Sequence, residues 1–159
     1  MNASALTFYE GGLADLPDVM AVMDNSFAAC FGEAWTSAQC AGLLPMPGVW
    51  LSIAHDAKGA VGFSLSRLIV DEAELLLLAV HDRAQRQGVG KLLLQRFERL
   101  ARIRGASRLH LEVREGNHAF DLYEKAGFKL VGRRPQYYRG PEGHGYDALT
   151  LAKAADGDY

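Results

Sequence analysis

Three groups of residues in this chain have the types and spacing to do chemistry. The first is Gln85-Arg86-Gln87-Gly88-Val89-Gly90-Lys91, which follows the apolar run Leu75 to Val80 and opens a helical pattern. Where a strand turns into a helix, the first backbone N–H groups have no intrahelical partner and the helix dipole is positive, so the turn attracts anions. Gly88 and Gly90 lack a Cβ and let the backbone approach a phosphate, and Arg86 and Lys91 add positive charge. The spacing is neither that of a P-loop, since Leu92 follows Lys91, nor that of a three-glycine dinucleotide fingerprint. On glycines alone, tight helix–strand packing is an equal reading. The second group is Glu112 on the polar face of the alternating stretch Arg108–Arg114, where His110, Glu112 and Arg114 oppose Leu109, Leu111 and Val113. The third is Tyr123, on a helical stretch with Phe120 and Ala126. A carboxylate and a phenol can take and give protons. Taken singly, each also reads as an ordinary surface glutamate and an ordinary core tyrosine.

The elements that must position these groups can be read along the chain. Leu6–Glu10 is a first strand, and Gly11-Gly12 ends it. Asp15 caps a helix with Pro17 in its first turn and Leu16, Val19, Met20, Met23 and Phe27 along it. Thr36 or Ser37 caps a second helix that stops at Pro45. Strands follow at Val49–His55, at Ala60–Val70 with Gly62 marking a bulge or close approach, and at Leu75–Val80, a continuous apolar run of the kind covered on both faces. The next helix carries Val89, Leu92, Leu93, Phe97, Leu100 and Ile103 as an apolar stripe and ends at Gly105. Asn117 caps a fourth helix that ends at Gly127. Phe128–Val131 and Gln136–Tyr138 are extended and interrupted by Pro135. Tyr146–Leu151 is the last strand, and residues 152–159 are expected to fray. The order β-α-α-β-β-β-α-β-α-β-β predicts an α/β fold, a mixed sheet with helices on both faces, in one domain over residues 1–159. The strands flanking the glycine loop and its helix should be parallel.

Composition narrows the function. A formal net charge of -2 over 159 residues gives no global pull toward nucleic acid or anionic membrane. No apolar run approaches the roughly 20 residues that span a bilayer. Met1-Asn2-Ala3-Ser4-Ala5 has no basic-then-apolar signal pattern. Cys30 and Cys40 match no metal or redox spacing and are expected to be free thiols, which suits a reducing cytoplasm. His55, His81, His110, His118 and His144 make no metal set, so no metal is expected.

The loop Gln85–Gly90 resembles the Gln/Arg-x-x-Gly-x-Gly/Ala pyrophosphate loop of the GNAT superfamily of acetyl-CoA-dependent N-acetyltransferases. The resemblance extends over nearly the whole chain through Asp71–Leu75, Ala79-Val80, Leu111-Glu112-Val113-Arg114, Asn117, Leu122-Tyr123-Glu124, Gly127-Phe128, Arg133-Arg134 and Tyr137-Tyr138. It is tightest to the ribosomal-protein-alanine branch. It implies a single-domain, mostly antiparallel sheet whose parallel central pair splays around acetyl-CoA. It implies that the backbone of Leu78, Ala79 and Val80 pairs with pantetheine and polarises the thioester, an oxyanion-type contact. Arg86, Gln87, Gly88, Val89, Gly90, Lys91 and Asn117 would bind the cofactor, Glu112 would be the general base and Tyr123 the acid toward the departing thiolate. Trp35, Tyr137 and Tyr138 would line the acceptor site, with Glu33 in the opposite wall. Asn117 stands six steps from Tyr123 where the branch has seven, so Gly116 and His118 are alternatives to it. The implied reaction is direct acetyl transfer to the N-terminal α-amino group of a protein, a small-subunit ribosomal protein being the branch's substrate class. A small amine, a lysine side chain, or acyl-CoA binding without catalysis are the other readings.

Overall fold

The structure, a computed structural model, describes residues 5–28 and 31–156. Cys30, the first residues of the chain and the tip of the expected tail lie outside the described residues. Among the described residues, seven strands and four α-helices follow one another as β1 (Thr7–Gly11), α1 (Leu16–Ser26), α2 (Ser37–Leu43), β2 (Val49–Asp56), β3 (Gly59–Ile69), β4 (Glu72–Val80), α3 (Val89–Ile103), β5 (Arg108–Arg114), α4 (Ala119–Lys125), β6 (Lys129–Arg139) and β7 (Gly145–Ala154). The element order is the one expected. The strands form one sheet in the order β1-β2-β3-β4-β5-β7-β6, antiparallel throughout except for β4 beside β5.

Two apolar layers sandwich this sheet. On one face Leu94, Phe97 and Ala101 of α3 and Tyr123 of α4 pack on Trp50, Leu75, Leu109, Leu111, Leu149 and Leu151. On the other, Val19, Val22 and Met23 of α1 and Cys40 of α2 pack on Leu51, Ile53, Phe63, Leu65, Leu77 and Ala79. The stripe of α3 departs from expectation. Leu92 is 41% and Ile103 73% exposed, while Leu94 and Ala101 are buried in their place. The fully buried line is Val89, Leu93, Phe97 and Ala101, a regular four-residue spacing along one face of the helix.

The central strand starts earlier than expected, at Glu72, and it does not run straight. In the β3–β4 ladder Leu65 faces Leu77 and Ser66 faces Leu75, so Leu76 is an extra residue on β4. A one-residue bulge reverses which face alternate side chains occupy. Ala73 and Leu75 therefore lie on the α3 face, and Leu77 and Ala79 on the α1 face, although all four are odd-numbered. Gly62 is a close approach as expected: a Cβ there would stand 3.0 Å from the carbonyl oxygen of Ala79 and 3.1 Å from Leu93.

Two expectations at the C-terminal end are corrected. Residues 129–131 and 136–138 belong to one strand, β6, with Phe128 just before it; its register slips at Leu130/Gly132 and again between Arg134 and Tyr138, where Gln136 takes φ +52°. Residues 152–155 do not fray. β7 runs to Ala154, Ala152 and Ala155 are buried, and the Ala155 N–H donates to the Ser107 carbonyl at 2.9 Å. Their small side chains, which resemble those of a loose tail, suit close packing instead.

Candidate active site

The β4–β5 ladder is short. It pairs Glu72 with Arg108 through Leu75 with Leu111 and then stops, at the residue before the bulge. Beyond that point the two strands diverge. The edge of β4 from Leu76 to Val80 has no strand beside it, and backbone N–H and C=O groups on such an edge are free to bind an extended ligand.

The upper part of the split is a cavity of about 550 Å³. Its walls include Leu78 and Val80 of β4, Arg86, Gly88, Gly90 and Lys91 of the glycine loop, and Asn117 and Leu122 from the region of α4. The loop is tied down on its outer side. His81 Nδ1 accepts from the Arg83 N–H at 3.2 Å, Gln85 Nε2 donates to the Val80 carbonyl at 3.3 Å, and Arg83 is engaged by Asp56 at 2.6 Å. Arg86 takes a left-handed φ of +62° and Gly88, the residue capping α3, one of +80°. A non-glycine residue in that region is uncommon and strained. A Cβ on Gly88 would meet nothing within 4 Å, so glycine is required here by backbone conformation rather than by space. The N–H groups of the first turn of the 15-residue helix α3 have no intrahelical partner, and Val89, Gly90 and Lys91 of that turn line the cavity. Gln87 does not line this cavity; its side chain donates to the Arg83 carbonyl at 3.3 Å. Ala79 presents its side chain to the opposite face, so only its backbone is available at the split.

A smaller cavity of about 70 Å³ continues the split toward β5. The two share Phe27, Glu33, Leu78, Asn117 and Ala119 as a common wall. Glu112, Tyr123, Trp35 and Tyr138 all line the small cavity, so four of the expected site residues meet where the strands part. Glu112 comes from the α1 face of β5 and is held by Arg134 Nε at 2.9 Å. Tyr123 comes from α4 on the other side and reaches the same point through the gap. Burial pushes the Tyr123 phenol above its usual range, and the charge of Glu33 pushes it the same way. Tyr138 is raised by burial first and then by Glu112 and Glu33. Both phenols therefore hold their protons at neutral pH, and the stability linked to them is complete below the ordinary value of 10.0 and lost only as pH rises through the folded-state values. Tyr137 is placed outward on β6, half exposed, with its ring edge-on to Tyr138 at 5.1 Å and beneath Arg134.

Asn117 is used inward. The N-cap of α4 is His118 and not Asn117 as expected; Asn117 stands one residue earlier, where its Oδ1 accepts from the Ala119 N–H at 2.9 Å, and its Nδ2 donates to Glu33 Oε2 at 2.9 Å. Glu33 is the residue whose importance sequence reasoning understated. It touches both cavities, and its other oxygen accepts from Arg114 Nε at 2.7 Å. Arg114 in turn lies 3.7 Å over the Phe31 ring. Gly32 packs against the Arg139 backbone so closely that any Cβ would overlap it. The segment 31–35 is thereby bolted across the split to β5 and to the β6–β7 hairpin. Among the described residues no three His, Cys, Asp or Glu side chains stand close enough to hold a metal ion, and no helix is long and apolar enough to cross a membrane.

The fold that carries this opening, with a glycine turn at one end and a carboxylate and a phenol at the other, has counterparts among known proteins. Residues 16–128 match the acetyltransferase (GNAT) family, and the chain belongs to it. It is 40% identical over 92 residues to the ribosomal protein bS18-alanine N-acetyltransferase of Haemophilus influenzae, a stretch covering 58% of this chain and 63% of that one, less than two thirds of its length. It is 38% identical over 103 residues to the enzyme of the same name from Salmonella typhimurium, covering 64% of this chain and 68% of that one. The crystal structure of the ribosomal-protein-S18-alanine N-acetyltransferase from Escherichia coli superposes with a TM-score of 0.86 at 27% identity, covering 98% of this chain and 97% of that one.

Proposed function

We propose that this chain transfers the acetyl group of acetyl-CoA directly to the α-amino group of a polypeptide, with the N-terminal alanine of a small-subunit ribosomal protein as its acceptor class. The observation that carries this reading is the convergence of Glu112 and Tyr123, from opposite faces of the sheet, on one small cavity that shares its wall with the cavity of the glycine loop. The diphosphate of coenzyme A suits the loop Arg86–Lys91, and pantetheine suits the open edge of β4 as an added strand. That geometry delivers the thioester beside Leu76–Leu78, where a backbone N–H can polarise its carbonyl.

The chain's own groups then have definite tasks. A free α-amino group has a pKa of about 7.7–8.0, so at neutral pH it needs to lose one proton to become a nucleophile, and a carboxylate within reach directly or through water is sufficient. Glu112 is that carboxylate. The amine nitrogen forms a bond to the acetyl carbon, the C–S bond breaks, and the sulfur leaves as a thiolate. Tyr123, whose proton is held by burial, gives it to the departing sulfur, and the phenol is restored by the second proton that the nitrogen loses as the amide forms. Transfer without an acyl-enzyme is supported by the absence of a thiol among the described lining residues: Cys40 is buried between α1 and the sheet, where burial pushes its pKa up. A reducing cytoplasm is the compartment that such a buried free thiol suits.

The test is free-thiol release from acetyl-CoA with a panel of acceptors. A peptide beginning Ala-Arg should turn over, and polyamines, aminoglycosides and Nα-blocked lysine peptides should turn over at least about a hundredfold more slowly, a difference of ~2.7 kcal/mol in transition-state binding. Preference for a small amine would overturn the acceptor assignment. Cofactor binding with no thiol release on any amine would overturn catalysis itself.

A further inference from the structure

Acetylating an α-ammonium group releases protons that must go somewhere. The nitrogen gives up two, the sulfur takes one, and one leaves for solvent in every cycle. If Glu112 collects that proton, it has to be emptied before the next turnover, and its carboxylate sits in a small, part-closed cavity with its side chain against Arg134. Directly below it on the same face of the sheet lies a second group of titratable residues that the mechanism above does not use. His110 is two residues before Glu112 on β5 and points to the same face, about 7 Å away by strand geometry. The one intervening rung, Leu75 opposite Leu111, turns its side chains to the α3 face. His110 stands opposite Glu74 in the parallel ladder, and its Nε2 lies 2.9 Å from Glu74 Oε2. Arg67 approaches the same oxygen at 3.6 Å.

These residues line a cavity of about 180 Å³ together with Ile69 and Glu72. Arg67 Nε is buried there with no protein partner among the described residues, so the cavity offers the several polar partners an ordered water needs. The charged groups facing His110 are Glu74, Arg67 and Glu72 in this cavity, with Glu112 and Arg108 flanking it along β5.

We propose that His110 and Glu74 form the route by which the proton collected by Glu112 leaves for solvent. This rests on Glu112 being the base. The ring's Nε2–H is committed to Glu74, which leaves Nδ1 as the acceptor. A water between the two side chains passes the proton from Glu112 to Nδ1, giving an imidazolium paired with the Glu74 carboxylate; the imidazolium releases its Nε2 proton by way of Glu74 to water in the cavity below, and exchange with water, Nδ1 giving up one proton as Nε2 takes one, returns the ring to its Nε2–H form. No other species is consumed, and the carboxylate and the neutral ring are both restored.

The experiment uses the full chain with acetyl-CoA and the Ala-Arg peptide, comparing His110→Gln and Glu74→Gln with the unaltered protein. His110→Gln is expected to lower kcat about fivefold to tenfold with both KM values within about twofold, to raise the solvent deuterium isotope effect on kcat, and to be restored by added imidazole. Glu74→Gln should give the same pattern at smaller amplitude and serves by itself if His110→Gln does not accumulate as folded protein. Unchanged kcat and isotope effect in both variants, or a loss that imidazole does not restore, would overturn the relay. Glu112→Gln measured alongside separates the two ideas: a wild-type rate there removes the base, whereas loss there with none at His110 removes only the relay.

Discussion

Replacing Glu112 with Gln should lower kcat about a hundredfold to a thousandfold, or ~3–4 kcal/mol in the barrier, while acetyl-CoA binding stays intact. The substitution keeps the size of the side chain and a hydrogen-bond acceptor for Arg134, 2.9 Å away, so it removes the proton-accepting carboxylate and little else. The diphosphate would bind in the glycine-loop cavity, which Glu112 does not line, so most of the cofactor's contacts survive the substitution. Rapid-mixing measurement of thiol release, beside a binding titration, separates the two quantities. The loss should shrink as pH rises toward and past the acceptor's pKa of about 8, because more of the amine then arrives neutral and less is asked of a base. Tyr123→Phe should cost less, about tenfold, because a donor to the departing sulfur is removed and not the group that makes the nucleophile. A near-wild-type rate in Glu112→Gln would remove that residue from the reaction.

Replacing Glu33 with Ala should destabilise the protein by about 3 kcal/mol, a fall in melting temperature of about 6–12 °C for a domain of this size. Glu33 and Arg114 are 9% and 11% exposed and 2.7 Å apart, so the pair is largely out of water. Losing one partner strands the other charge. Arg114 keeps the Phe31 ring at 3.7 Å and the Glu115 carbonyl at 3.0 Å, which places the cost at the lower end for buried pairs. Asn117 Nδ2 loses its partner too. Glu33→Gln keeps one accepting oxygen, for Arg114 Nε, and loses the acceptor for Asn117 Nδ2, so it should cost about 1.5 kcal/mol. Function should follow structure, because the pair bolts the segment carrying Trp35 over the small cavity: acceptor KM should rise in Glu33→Ala more than the KM for acetyl-CoA. Thermal melts with steady-state kinetics on both variants check this, and equal stability of the Ala and Gln variants would mean that the pair carries no structural weight.

The parts of this fold that depend on local rules were readable from the chain. Period-two alternation at Leu109, Leu111 and Val113 assigned the face of Glu112, and the positive-φ glycines at 88 and 105 bracketed α3. What depended on non-local geometry was not readable. A run of four leucines has no alternation, so nothing in Leu75–Leu78 marks Leu76 as the bulge that swaps the faces and opens the sheet. The placing of β7 between β5 and β6 follows from the hairpin folding back, not from any local pattern. The contact of Glu33 with Arg114 joins residues 81 apart in the chain, and neither side chain looks unusual where it stands. The alanines at 152 and 155 resembled a loose terminus because small residues are equally suited to tight packing, and only the neighbouring strand distinguishes the two. The residues whose chemistry was expected were therefore found together, while the lever that brings them together and the brace that holds the site shut were visible only in three dimensions.

The central claim is that the opening beside β4, capped by the left-handed turn at Arg86 and Gly88, is the seat of acetyl-CoA. Isothermal titration of acetyl-CoA into the full chain, with Gly88→Val as the comparison, tests it most directly. One saturable site per chain is expected, weakened at least about tenfold (~1.4 kcal/mol) in Gly88→Val, because a β-branched residue resists φ +80° and turns the first-turn N–H groups away from the diphosphate. Absence of binding heat at all temperatures tried, or equal affinity in the two proteins, would contradict it.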